Sequence, residues 1–148
     1  MCCYLWDVSE VIRAMHVALL LLSSIGLYVS LYFTLVYYGV AGANSTYVPA
    51  FCRMDEGSCM LVINHPDARI FGLPNALFGI AYYLFISLLA VGINGSALLS
   101  GLRLSSLVTV VLGVYLVYSL LVKVRVMCFL CLTSHVINML IALLLLYY

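Results

Sequence analysis

With 67% of its 148 residues hydrophobic and only 7% charged, the chain is excluded from being a water-soluble globule, since a soluble domain carries about 25% charged residues. Six basic and five acidic side chains cannot clothe the surface of such a protein, so lipid is the solvent for most of it. The net charge of +1, with no basic stretch to replace phosphate counterions, excludes nucleic acid as a partner.

The charged residues mark where the chain must leave the bilayer, and the uncharged gaps between them are long. Residues 14–38, 70–102, 104–122 and 126–148 carry no Lys, Arg, Asp or Glu. Each gap can supply the roughly 20 apolar residues that cross a ~30 Å hydrocarbon core as a helix. The expected fold is an all-α membrane protein, a four-transmembrane-helix bundle forming one domain over residues 1–148. Its spans are expected at about 14–38, 74–94, 104–122 and 127–148. The first is longer than the ~7–15-residue core of a signal peptide and is read as a retained span.

One long loop, 39–73, joins the first two helices. Gly39, Gly42, Asn44, Pro49, Gly57 and Pro66 are its turn formers. The other connections are short, one around Asn94-Gly95-Ser96 and one at Lys123-Val124-Arg125. Tyr37 with Tyr38, and Tyr147 with Tyr148, suit headgroup regions, where a ring needs both an apolar and a wet side.

Six cysteines punctuate this frame. Cys2 and Cys3 precede the first span, Cys52 and Cys59 lie in the long loop, and Cys128 and Cys131 open the fourth span. Two crossings separate the loop from Cys128, so those four thiols share one face and Cys2 and Cys3 take the other. Three residues apart on a helix, Cys128 and Cys131 fall on nearly one side, about 4.5 Å apart along the axis. Cys128 is expected at the surface and Cys131 a turn deeper. Free N–H groups and the positive dipole end of the first turn favour a thiolate at Cys128, as do the charges of Lys123 and Arg125. Cys128 is thereby suited to exchange with an aqueous-side sulfur, and Cys131 to chemistry with a lipid-soluble partner. Two other uses of these thiols stay open: a four-cysteine zinc site, and a purely structural Cys52–Cys59 disulfide. The expected site holds no metal.

The order of short motifs along the frame resembles the vitamin K epoxide reductase family. Gly26-Leu27-Tyr28-Val29-Ser30-Leu31-Tyr32 is similar to its first span, and Tyr47 to Cys52 with Gly57-Ser58-Cys59 to its loop. Asn75-Ala76-Leu77-Phe78-Gly79, Gly113-Val114-Tyr115-Leu116 and Cys128-Phe129-Leu130-Cys131-Leu132-Thr133 continue the likeness to the end of the chain. The resemblance is to single-domain prokaryotic, archaeal members.

It implies a helix bundle around a quinone pocket, with menaquinone or ubiquinone from the membrane pool as electron acceptor. It makes Cys128 and Cys131 the redox-active pair and Cys52 and Cys59 the shuttle pair. A thioredoxin-like disulfide oxidoreductase would reduce the Cys52–Cys59 disulfide, Cys59 would attack Cys128, and the freed Cys131 would reduce the quinone. No thioredoxin-like domain follows the fourth span, so that partner is expected to be a separate protein. The implied function is a membrane thiol:quinone oxidoreductase supporting disulfide formation. The alternatives are a vitamin K epoxide or quinone reductase and a non-catalytic scaffold with a structural disulfide.

Asn75 matches the family position that hydrogen-bonds a quinone carbonyl, where an amide N–H would stabilise charge on the oxygen as it gains electrons. Its alternative is a helix cap. His135 stands where the family commonly has tyrosine, on one helix face with Cys128 and Cys131, and is expected to contact the second quinone oxygen. The other reading of His135 is a hydrogen bond to a neighbouring helix. Phe78 and Phe71 are expected as pocket wall, or simply as packed aromatics. Family members usually present their cysteines outside the cytoplasm. Arg53, Arg69, Lys123 and Arg125 on the cysteine face, against Arg13 and Arg103 opposite, favour the cytoplasm by the positive-inside rule.

Overall fold

Backbone polar groups in lipid must be satisfied within the chain, and helices do this segment by segment. The computed structural model, which describes residues 8–41, 62–93, 95–125 and 127–148, is built mainly of four helices. These are α1 (Val8–Tyr37), α2 (Asn75–Ala90), α3 (Ser96–Tyr118) and α4 (Phe129–Tyr147). A 3-10 turn, Pro66–Ala68, leads into a small antiparallel hairpin of β1 (Arg69–Ile70) and β2 (Leu73–Pro74), after which α2 begins. Six π-helical residues, Ser119–Val124, continue α3.

Helix ends depart from the charge gaps for identifiable reasons. α1 starts before residue 14 because Glu10 and Arg13 pair at 3.1 Å across one turn and keep the polar turn helical. α3 runs straight through Arg103, whose Nε donates to the carbonyl of Leu145 at 2.9 Å and so caps the end of α4. α2 stops at Ala90, short of the expected 94. There Gly92 (φ 93°) donates to Leu89 and Ile93 donates to Leu88, a Schellman ending that requires a left-handed residue. Gly39 (φ 71°) closes α1 in the same way.

The helices alternate in direction. At one end His16 of α1 joins α2 and α4. Its Nδ1 faces the Ala90 carbonyl at 3.0 Å, so this nitrogen carries the proton and Nε2 accepts from the Tyr148 hydroxyl at 2.9 Å. At the other end the Arg69 guanidinium lies 5.5 Å from the centre of the Tyr37 ring, and Asp67 meets Lys123 at 3.1 Å. α1 packs most closely on α2, and α3 on α4. Leu19, Tyr83, Ile86, Leu89, Ile137, Ile141 and Leu145 form the buried core. Small residues permit the α1–α2 approach: a Cβ on Gly79 would lie 2.6 Å from Ser30 Oγ, and the Ser23 and Ser87 hydroxyls bond across the seam at 2.9 Å. Outside, Leu21, Val111, Val114 and Leu146 are exposed, as an apolar face turned to lipid must be.

Among the described residues three helices are long and apolar enough to cross a membrane, Ser9–Tyr37, Ser96–Val124 and Phe129–Tyr147. The fourth, α2, is apolar but has 16 residues. Its length is about 24 Å at ~1.5 Å per residue.

Candidate functional site

A cavity of about 250 Å³ opens at the hairpin end of the bundle. Asp67, Ile70 and Pro74 form its rim, with Phe33 from α1 and Asn75, Phe78 and Tyr82 from α2 on its sides. Leu112, Gly113 and Ser119 face it from the α3 side, and Cys131, Ser134, His135 and Asn138 from α4. A mostly apolar wall with a few converging polar groups is the ordinary form of a small-molecule site.

One of the expected redox thiols, Cys131, lines this cavity, and Cys128 is bonded to it. Cys128 is the N-cap of α4, its Sγ accepting from the Cys131 N–H at 3.3 Å, and the two residues are joined in a disulfide with Cα atoms 5.3 Å apart. The expectation that Cys128 lies at the surface is corrected. It is 1% exposed and clusters with Leu120, beneath Phe33 and Val62. Counting height along α4 missed this lateral cover from α1 and from the segment before the hairpin. Cys131, a turn further on, lines the cavity. Cys52 and Cys59 lie outside the described residues. Val62, which follows them in the chain, packs at the Cys128 end of the bundle.

Lys123 makes its hydrogen bonds to groups other than the thiols. Its ammonium donates to Asp67 at 3.1 Å and to the Tyr115 hydroxyl at 3.0 Å. The Asp67 carboxyl is held below its usual 3.8 chiefly by the hydrogen bond from Ser119, then by Lys123. A folded-state value below the unfolded one means that the stabilisation is complete above about 3.8 and lost as pH falls through the lowered value. The melting temperature should drop in that acid window, and the drop should shrink in Asp67→Asn.

Asn75 is the first residue of α2, after an N-cap at Pro74 that makes no side-chain bond, so Asn75 is not the helix cap. Its Nδ2 donates to the Asp67 carbonyl at 3.2 Å, while its Oδ1 is buried without a partner. One amide N–H expected to face a ligand is therefore already committed, and the unsatisfied atom is an acceptor. His135 lines the same cavity, its Nδ1 also buried without a partner. Gly113 makes room for it: a Cβ there would lie 2.9 Å from Nδ1. Among the described residues no hydrogen-bond partner from a neighbouring helix meets that nitrogen.

Phe78 lines the cavity, but Phe71 does not. Phe71 sits at the hairpin turn with φ 52° and is 96% exposed, because the left-handed turn points its ring away from the bundle. Further polar contacts border the site: Tyr83 donates to Asn138 Oδ1 at 2.7 Å, and the Tyr82 and Ser106 hydroxyls meet at 2.8 Å. Asn138 follows His135 by three residues, on the same helix face, which is the signal by which it could have been found.

A disulfide beside an apolar cavity with two unsatisfied polar atoms is suited to two-electron exchange with a small apolar molecule. A comparison with curated proteins finds no match. The description of the vitamin K epoxide reductase family fits residues 17–146, nearly the whole chain, and the chain belongs to that family of membrane oxidoreductases acting on quinones.

Proposed function

We propose that the protein is a four-span membrane thiol:quinone oxidoreductase that supports protein disulfide formation. Two thiols of a thioredoxin-like donor give two electrons and two protons, by way of Cys52 and Cys59 and then Cys128 and Cys131, to a quinone. The donor ends as a disulfide and the quinone as a hydroquinone. Within that sequence Cys59 attacks the Cys128 sulfur, the Cys128–Cys131 bond breaks, and Cys131 leaves as the thiolate that faces the quinone. Cys52 then attacks Cys59, closing the Cys52–Cys59 disulfide and releasing Cys128, and Cys128 and Cys131 re-form their disulfide as the quinone takes two electrons and two protons.

The observation that carries this reading is the placement of Cys131, disulfide-linked to Cys128, on the apolar cavity that also holds Asn75 Oδ1 and His135 Nδ1. The quinone is substrate here, and the residues fit it: apolar walls for a ring and two unsatisfied polar atoms for its oxygens. Asn75 Oδ1 accepts from a hydroquinone hydroxyl, and the second amide hydrogen donates to a quinone carbonyl. His135 donates from one ring nitrogen and accepts at the other, so it can hold either redox state.

His135→Leu is expected to lower quinone turnover about tenfold, the worth of one lost hydrogen bond, with exchange between the cysteines and a small dithiol unchanged. Equal turnover by variant and parent would remove His135 from the site. Reduction of vitamin K epoxide is the second reading, favoured by the family assignment. Assaying purified protein on a quinone and on the epoxide separates the two.

α2 crosses the bilayer as the fourth span in this reading, completed on the cysteine side by the hairpin. Its alternation with the other helices and its end-to-end packing on α1 support the crossing. The compartment of the cysteine face follows from a reporter fused after Tyr148. Cytoplasmic activity there means extracytoplasmic cysteines, and silence there means cytoplasmic ones.

A further inference from the structure

A polar cluster at the cavity rim, absent from the electron path, connects three parts of the chain. Asp67 on the 3-10 turn accepts hydrogen bonds from the Ser119 hydroxyl and the Lys123 ammonium, both on the π-helical end of α3. Lys123 is held in place by the Tyr115 hydroxyl at 3.0 Å, with its ammonium 5.0 Å from the centre of the same ring. Asp67 and Ser119 both line the cavity, so their bond closes part of its rim. The backbone carbonyl of Asp67 meanwhile accepts from Asn75 Nδ2 at 3.2 Å. The wider turns of a π-helix alter the phase of the side chains that follow, and here Ser119 and Lys123 both meet one carboxylate.

We propose that Asp67 is the positioning residue of this site. Its carboxylate straps the turn and hairpin to the end of α3 across the cavity rim, and its carbonyl sets the Asn75 amide with Oδ1 turned inward. A charge-assisted bond from each of two donors makes the strap stronger than a neutral contact. Losing it opens the rim to water, while the backbone carbonyl of residue 67 still accepts from the Asn75 amide. Cys131 and that amide are untouched by the change, so the ligand should bind less tightly while the chemical step stays near its former rate. The kinetic half of this inference rests on the quinone reading, whereas the opening of the rim does not.

The test uses the full chain in nanodiscs. With dithiothreitol as thiol source and a short-chain quinone as probe, Asp67→Ala is expected to raise KM about tenfold, with kcat changed less than about threefold. Asp67→Glu should restore most of the affinity. In parallel the disulfides are reduced and Cys131 is labelled with a charged maleimide, read at that residue by mass spectrometry. Labelling should be about tenfold faster in Asp67→Ala and faster by a smaller factor in Ser119→Ala, which keeps the fold if the first variant does not. Unchanged labelling in the folded variants overturns the proposal, as does a fall in kcat at constant KM. If the parent protein turns over no quinone, the functional reading fails, and the labelling rates alone decide the role of Asp67.

Discussion

Cys131→Ala is expected to abolish quinone reduction by the purified protein, lowering the rate by at least about a thousandfold, as removal of a covalent-exchange group does. Cys131 is the thiol of the α4 pair that lines the cavity, while Cys128 clusters with Leu120, with Phe33 and Val62 packed against that cluster. Without Cys131 no disulfide can form within α4, so two electrons cannot leave the protein in one step. A thiol arriving at Cys128 would find no disulfide to attack. Anaerobic absorbance of the quinone, followed with excess dithiol, reads the loss directly. Turnover equal to that of the parent would instead favour a scaffold whose Cys128–Cys131 bond is structural.

Asn75→Leu is expected to have the next largest effect, roughly a hundredfold in quinone turnover, the scale of losing one preorganised polar group at a developing charge. Two consequences combine. The buried Oδ1 and the second amide hydrogen vanish from the cavity, and the Asp67 carbonyl loses its donor. Stability should change little, by about 1 kcal/mol for the single hydrogen bond, because Pro74 rather than Asn75 occupies the cap of α2. A circular-dichroism melt beside the rate measurement separates the two effects. A large drop in melting temperature with near-normal turnover would make Asn75 structural.

Much of the bundle was legible in the chain because charge is costly in lipid. The gaps between Arg13, Arg69, Arg103, Lys123 and Arg125 locate α2 and α4 to within about four residues, whereas α1 and α3 begin at Val8 and Ser96, well before the expected 14 and 104. Their ends shifted where a charge found a partner within the fold, as Arg103 did at the Leu145 carbonyl and Glu10 did at Arg13. Helical spacing likewise placed Cys131 and His135 on one face, and both line the cavity.

Spacing carries no information about what another element lays on top. The cover over Cys128 comes from α1 and from the segment before the hairpin, more than sixty residues away in sequence. The outward turn of Phe71 follows from a left-handed backbone conformation that an aromatic residue rarely adopts. The Asp67 strap joins residues 52 apart in sequence, and the π-helical turns that serve it leave no mark in hydropathy. Cys52 and Cys59 lie outside the described residues, and Val62, which follows them in the chain, packs at the Cys128 end of the bundle.

The most direct measurement is the alkylation state of Cys52, Cys59, Cys128 and Cys131 in fully reduced protein before and after anaerobic addition of quinone. The predicted result is that Cys128 and Cys131 lose alkylation together as hydroquinone appears in equal amount, with Cys52 and Cys59 following as the pairs exchange. Continued alkylation of Cys128 and Cys131, with the quinone still oxidised, would contradict a thiol:quinone oxidoreductase.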